Sequence, residues 1–197
     1  MSSRASILAA LRAAAPPAVE LPALPTQGQR FDDPIAQFAQ SLAGVGGRCE
    51  RVPSTESLRA AVAALPVVAQ AKKVASEVPE AHPGNVVLGA IDDPHLLADV
   101  DVAIIRGQFA VAENGAVWVP AKGLGRRQAL PFIAQHLVLV VDPLDVVHTL
   151  HEAYARLRFE GPGFGLFISG PSKTADIELA LVIGAHGARS TVVFLVG

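Results

Sequence analysis

From Phe31 onward two apolar rhythms alternate along the chain. In "DPIAQFAQSLAG", Ile35, Phe38 and Leu42 recur at helical spacing and predict one buried helix face; "LVLVV" is a continuous apolar run, as in a central parallel strand buried on both sides. The same reading predicts a strand in "GRCERV" and a helix in "ESLRAAVAAL", capped by Ser54 or Thr55. It predicts short strands in "KKVAS" and "NVVLGAI", a loop or short helix in "DDPHLLADV", and apolar segments in "VAIIR", "QFAVA" and "AVWVP". Downstream, "PLDVVHTLHEAYARLRF" reads as an amphipathic helix, "FGLFIS" as a buried strand, "TADIELALVIG" as a helix and "STVVFLV" as a final strand. This alternation predicts an α/β fold with a parallel or mixed sheet covered by helices. Ligands in such sheets sit beyond the carboxyl ends of the strands, and the "GPSKT" loop after "FGLFIS" is expected there.

Before Phe31 the pattern differs. A helix capped by Ser2 or Ser3 is expected to run to about Ala15, with Ile7, Leu8 and Leu11 on one face, available to the domain or to a partner. "PPAVELPALPTQGQR" follows, and its four prolines predict an extended linker. The expected organisation is a helix and Pro-rich linker over residues 1–30 and one α/β domain over 31–197.

Composition narrows the function classes. Half of the 197 residues are hydrophobic, enough for a sizeable core, and few are aromatic, so Ala, Val, Leu and Ile must fill it. The net charge is −2 with no basic block, which argues against a nucleic-acid surface. Cys49 is the only cysteine, so it forms no internal disulfide and cannot supply the thiolates of an iron–sulfur cluster. No apolar run approaches the roughly 20 residues that span a bilayer. The start makes a poor secretory signal, its apolar stretch being short and broken by Arg12. A cytoplasmic setting is expected.

"GPSKT" invites a phosphate-loop reading, which its spacing does not support. Gly165 and Gly170 are separated as in a Walker loop, but Pro171 and Ser172 stand where Lys and Ser/Thr are needed, and Lys173 comes one residue late. Pro171 also removes one backbone N–H. "GPGFG" precedes its strand, so it is no dinucleotide fingerprint. Two readings of the loop remain: a helix start capped by Thr174 with its own first-turn acids, Asp176 and Glu178, or a small-anion site built on Ser172, Lys173 and Thr174. His186, between glycines in "GAHGARS", is either a helix-end residue or an acid/base group, with Gly184 or Gly187 as the C-cap. His148 and His151 share a helical face with no evident third ligand, which favours a solvated face over a metal site. In "QFAVAENGAVWVP", Asn114-Gly115 predicts a hairpin turn, and Glu113 beside it is either an idle turn residue or a displayed nucleophile or base.

Glu113-Asn114-Gly115 resembles the short motif around the catalytic glutamate of family I CoA-transferases. "SGPSKTADIE" followed by "GAHGARS" and a last apolar strand resembles the lactate-utilisation protein C family, the LUD domain or DUF162, over about Val100 to Val196. That resemblance implies a three-layer α/β/α, NagB/RpiA/CoA-transferase-like fold with a mostly parallel sheet. It also implies a cytoplasmic part in L-lactate oxidation beside companion proteins that hold iron–sulfur clusters, with none in this chain. Gly170, Pro171, Ser172, Thr174, Asp176, His186 and Gly187 match the family pattern. Lys173 stands where arginine is common, keeping charge but losing a bidentate fork. At the upstream motif the family's Ala-Glu-Thr-Gly-Thr is here Ala112-Glu113-Asn114-Gly115-Ala116, without either hydroxyl. The candidate catalytic residues are therefore Glu113, His186 and Asp176. The candidates for binding a small anionic ligand are Asn114, Gly115, Gly170, Pro171, Ser172, Lys173, Thr174, Gly187 and Arg189, with no metal ligand. The alternative is a stand-alone CoA-transferase-like or sugar-phosphate isomerase-like enzyme using Glu113.

Overall fold

The computed structural model describes residues 3–17, 19, 20, 22, 28–158, 163–176 and 179–197. Helix α1 (Ser3–Ala13) buries none of its residues; Ile7, Leu8 and Leu11 stay exposed. Helix α2 (Pro34–Gly44) starts where Asp33 accepts the N–H groups of Ile35 and Ala36, and buries Phe38 and Leu42 as their spacing predicts. It leads into β1 (Arg48–Val52), then α3 (Thr55–Ala64), capped by Ser54, and α4 (Pro66–Ala69).

Five strands form an all-parallel sheet: β2 (Val74–Ser76), β3 (Val102–Arg106), β6 (His136–Val141), β11 (Ser190–Val196) and β1, in the order β1-β11-β6-β3-β2. The "LVLVV" strand, β6, is at the centre, as its unbroken apolar run predicts. Alternation along each strand divides the core. Leu137, Leu139 and Val141 join Ala103, Ile105, Val193 and Leu195 on the face that meets α2. Val138 and Val140 join Ile104, Val192 and Phe194 on the face covered by Leu58, Val62 and Val68 of α3 and α4.

Between β3 and β6 the chain leaves the main sheet. Strands β4 (Phe109–Val111) and β5 (Ala116–Pro120) form the expected antiparallel hairpin, with Gly115 alone of the turn pair in the left-handed region. With β7 (Val146–Val147) and β8 (Gly165–Ile168) they make a second sheet, β7-β4-β5-β8. One face of it packs on the α2 side of the main core, the other on α6 (Leu150–Arg156). A short helix, α5 (Leu130–Ile133), precedes β6. The architecture is α/β, with a parallel central sheet flanked by helices.

Four expectations from the sequence change. "NVVLGAI" forms a 3-10 turn over Leu88–Ala90 rather than a strand. The long helix from Pro143 shrinks to α6. Asp142 caps a separate turn over Pro143–Asp145, the β-branched Val146–Val147 pairs with β4, and Thr149 restarts the helix by accepting the Glu152 N–H. His148 and His151 thus do not share a helical face; His148 accepts the Phe31 N–H instead. "FGLFIS" yields β8, an antiparallel strand of the second sheet and only partly buried.

The fourth change concerns "TADIELALVIG". Lys173–Thr174 (β9) pairs antiparallel with Val182–Ile183 (β10), and Leu179 sits at a φ of 56°. That conformation interrupts a right-handed helix, and Leu179, Leu181 and Ile183 are exposed, so no apolar helix face is buried there. Ile177 and Glu178 lie outside the described residues. No helix therefore begins at Thr174 or ends at Gly184 or Gly187, and the dipole-based anion reading loses its basis.

Candidate functional site

The two sequence motifs converge on the C-terminal turn of α2. Ser41 donates its hydroxyl to the Ala112 carbonyl at 2.8 Å, and Gly115 lies flat on the next residue: a β-carbon there would stand 2.6 Å from the Leu42 nitrogen and 2.7 Å from its α-carbon. Gly170, at a φ of +70°, passes as closely over the Val45 carbonyl, where a β-carbon would stand at 2.8 Å. Lys173 donates its ammonium to that same carbonyl, and Ser169 donates to the Asn114 carbonyl at 2.7 Å. Both glycines are thus required by close approach and backbone conformation. Pro171 packs beside Gly46, and Lys173 is engaged as a cap on the end of α2.

Glu113 is occupied too. Its carboxylate accepts the Leu150 N–H at 2.7 Å, at the start of α6, and its own N–H donates to the His148 carbonyl at 3.1 Å. Asn114 closes the turn by accepting the Ala116 N–H. Ser172 ties β9 toward β11 by donating its N–H to the Ala188 carbonyl and accepting from Gly184. The Thr174 hydroxyl donates to the Asp176 carboxylate and accepts the Asp176 N–H.

These residues lie at the amino ends of the parallel strands, because Gly47 precedes β1 and Ala188 precedes β11. The expectation that "GPSKT" would sit at the carboxyl ends is overturned: β8, which delivers it, belongs to the other sheet. His186 and Gly187 line an amino-end cleft of about 500 Å³ with His95, Phe132 and Gln135; Glu113 is not among its lining residues. Gly187 also backs onto the Ser172 side chain. Arg189 lines a separate hollow of about 220 Å³ with Asp101 and His136.

In that hollow the His136 imidazole bonds to the Ser190 hydroxyl at 2.8 Å. Burial, reinforced by the Arg189 cation, lowers its pKa, against the opposing pull of Asp101. Asp101 is itself held below the usual carboxylate range by the N–H groups of Lys73 and Lys72. Because folding lowers the His136 pKa, the unfolded chain binds its proton more readily. The contribution to stability is full above the unfolded value of about 6.5 and is lost as pH falls through the native value. The fall in Tm between about pH 7.5 and 5 is expected to be shallower in His136→Asn, as thermal melts across that range would show. An equal slope in the variant would mean that His136 contributes nothing.

The carboxyl ends hold a second cleft, of about 320 Å³, lined by Glu77, Ile105, Arg106, Gly107, Gln108, Pro120 and Leu124. Glu77 follows β2 directly and Arg106 ends β3. The Arg127 guanidinium lies 2.9 Å from Glu77 Oε1, with both side chains mostly buried, and donates to the Leu88 carbonyl at 3.0 Å. The pair is close but poorly aligned, so buried Glu77 Oε1 accepts no well-formed hydrogen bond. Arg106 pairs with Glu80 at the rim. A carboxylate short of a donor, beside a guanidinium, can accept a hydroxyl hydrogen bond while the cations receive an anionic group. The sequence motifs do not include these residues. The available signal was a charged residue just after each predicted strand, in "VASE" and "VAIIR".

Cys49 is the one cysteine of the sequence. Burial and the neighbouring Glu50 push the Cys49 thiol up to about 11, and a cluster requires several thiolates. Among the described residues no helix is long and apolar enough to cross a membrane.

Comparison with known proteins agrees with the fold and the C-terminal motifs. Residues 93–196 match the LUD domain family. The chain is 33% identical over 100 residues to lactate utilization protein C of Bacillus pumilus, covering 48% of this chain and 41% of that protein. It is 34% identical over 113 residues to lactate utilization protein C of Deinococcus radiodurans, covering 54% and 53%. The chain thus spans about two fifths to one half of the length of these curated relatives. The crystal structure of a DUF162 family protein from Deinococcus radiodurans superposes with a TM-score of 0.59 at 20% identity, covering 83% of this chain and 96% of that one. At that identity the superposition speaks for the fold, and the matched residues 93–196 cover more than half of the sequence. The chain belongs to the LUD domain family.

Proposed function

We propose that the chain is a component of an L-lactate utilisation system that works with iron–sulfur proteins, and that it meets its ligand at the carboxyl-end cleft. The observation that carries the reading is the match of residues 93–196 to the LUD domain, beside the similarity to relatives named for lactate utilisation. A division of labour follows from the single cysteine: the clusters, and hence the electrons, belong to the partners. The cleft's Glu77, backed by the Arg127 guanidinium, and its Arg106 suit a small hydroxy acid, whose hydroxyl would meet the Glu77 carboxylate and whose carboxylate would face Arg106.

Reconstitution tests this. The purified chain alone is expected to reduce no dye with L-lactate, and the set with its iron–sulfur partners is expected to do so. A complete set that neither associates nor turns over lactate would sink the proposal. Glu113 separates it from a stand-alone acyl-transfer enzyme. As a cap on α6, Glu113→Gln keeps an acceptor for the Leu150 N–H and should cost about 0.5–1 kcal/mol with activity retained. Complete loss of activity with an unchanged melting temperature would instead assign Glu113 to chemistry.

A further inference from the structure

The amino-end hollow beside His136 draws on three neighbouring strands and one helix. Asp101 precedes β3, Gln135 and His136 stand at the start of β6, and Arg189 precedes β11. Val67, Gln70 and Ala71 come from α4 and the residues just after it. Backbone bonds hold these segments together: the Arg189 N–H donates to the Gln135 carbonyl at 2.8 Å, and the His136 N–H to the Asp101 carbonyl at 2.9 Å.

Arg189 is seated on a glycine. Gly184 has a φ of +76°, and a β-carbon there would stand 2.5 Å from Arg189 Cγ and 2.9 Å from its Cα. The arginine stem thus lies on bare backbone, and less side-chain entropy is left to lose when the guanidinium meets an anion. Asp101, the carboxylate of the lining, is held through Oδ2 by the N–H groups of Lys72 and Lys73 at 2.7 and 2.9 Å.

These features select a ligand class. A guanidinium fork matches the two oxygens of one carboxylate. The Gln70 and Gln135 amides add neutral donors, and Val67 and Ala71 give the same hollow an apolar part. Its volume of about 220 Å³ is below that of pockets for drug-sized ligands, about 300–1,000 Å³, so the occupant has few heavy atoms. Asp101 also repels a phosphate dianion more strongly than a monoanion. We propose that this hollow binds a short-chain monocarboxylate, its carboxylate forked on Arg189 and its hydrocarbon end against Val67 and Ala71. The site lies at the opposite end of the parallel strands from the Glu77 cleft, and the proposal does not rest on the lactate reading.

Binding is coupled to a proton. Arg189 and Asp101 are the charged groups acting on His136, with Lys72 acting on Asp101 in turn, while α4 and the residues after it bring Val67, Gln70 and Ala71. Burial first, then the Arg189 cation, holds the His136 pKa down. A carboxylate on Arg189 offsets the second cause, so the imidazole pKa rises and a proton is taken up. Affinity therefore increases as pH falls through the native His136 value.

Imidazole NMR on the full chain tests this. The chain has six histidines, and His136→Asn identifies the His136 signal by its loss. Millimolar propionate is expected to move that signal saturably and raise its titration midpoint, relative to sodium chloride at equal ionic strength. Formate, without a hydrocarbon end, and inorganic phosphate at alkaline pH should bind more weakly. Arg189→Gln should weaken propionate about 10–100-fold, as expected for lost charge-assisted hydrogen bonds. Arg189→Lys, which keeps the charge but not the fork, should weaken it less and provides a second variant should the first misfold. Arg106→Gln, in the carboxyl-end cleft, should leave the His136 response intact. No saturable shift at His136, a shift that sodium chloride reproduces, unaltered affinity in both Arg189 variants, loss of the response in Arg106→Gln, or formate or phosphate binding as tightly as propionate would each overturn the proposal.

Discussion

Replacing Gly115 with alanine is expected to lower stability by about 2–4 kcal/mol and the melting temperature by about 5–15 °C. Two costs combine. The residue sits at a φ of +67°, a region that a side chain disfavours by about 1 kcal/mol or more. The new methyl would also stand 2.6 Å from the Leu42 nitrogen and 2.7 Å from its α-carbon, so helix backbone would have to move. The hairpin would lift from α2, straining the Ser41 bond to Ala112 and, through Glu113, the start of α6. Urea unfolding followed by far-ultraviolet circular dichroism measures the loss. A change below about 1 kcal/mol would show that the hairpin rides loosely on the helix.

Leu42→Ala is expected to cost about 2–5 kcal/mol, the range for emptying a fully buried leucine site. Its side chain also fills the space beside Gly47, where a β-carbon would meet Leu42 Cδ1 at 2.5 Å. This gives a test of coupling. Gly47→Ala should destabilise the parent but be relieved in the Leu42→Ala background, because the obstructing atoms are gone. Gly115→Ala should gain no such relief, since its clash is with backbone that alanine keeps. Equal coupling at both glycines in a double-mutant cycle would contradict this packing.

The sequence revealed most where burial leaves one choice. Strand β6 is apolar on both faces because it is the central parallel strand, and α2 shows its buried stripe through Phe38 and Leu42. The Asn114-Gly115 turn needs a left-handed residue at Gly115, and only a few residue types supply one. From Lys173 to Ile183 the apolar residues mimic helical periodicity. There the backbone is settled by pairing across β9 and β10 and by the bonds of Ser172 to Ala188 and Gly184, which no local pattern displays. The candidate site divides the same way. The family motif residues were visible as contiguous strings, yet many of them seat loops on α2. The carboxyl-end cleft joins Glu77 and Arg106 from distant stretches, with Arg127 from a third pairing with Glu77, and only the topology brings them together.

The position of β11 also bears on how the chain is made. Residues 190–196 are inserted between β1 and β6, pairing with both. During synthesis the earlier strands emerge first, and each keeps an open hydrogen-bonding edge and uncovered valines until this late segment arrives. The nascent domain therefore waits in an incomplete, adhesive form until residues 190–196 have emerged. Its yield in a cell should depend more on protection of that intermediate by chaperones than on the stability of the finished sheet.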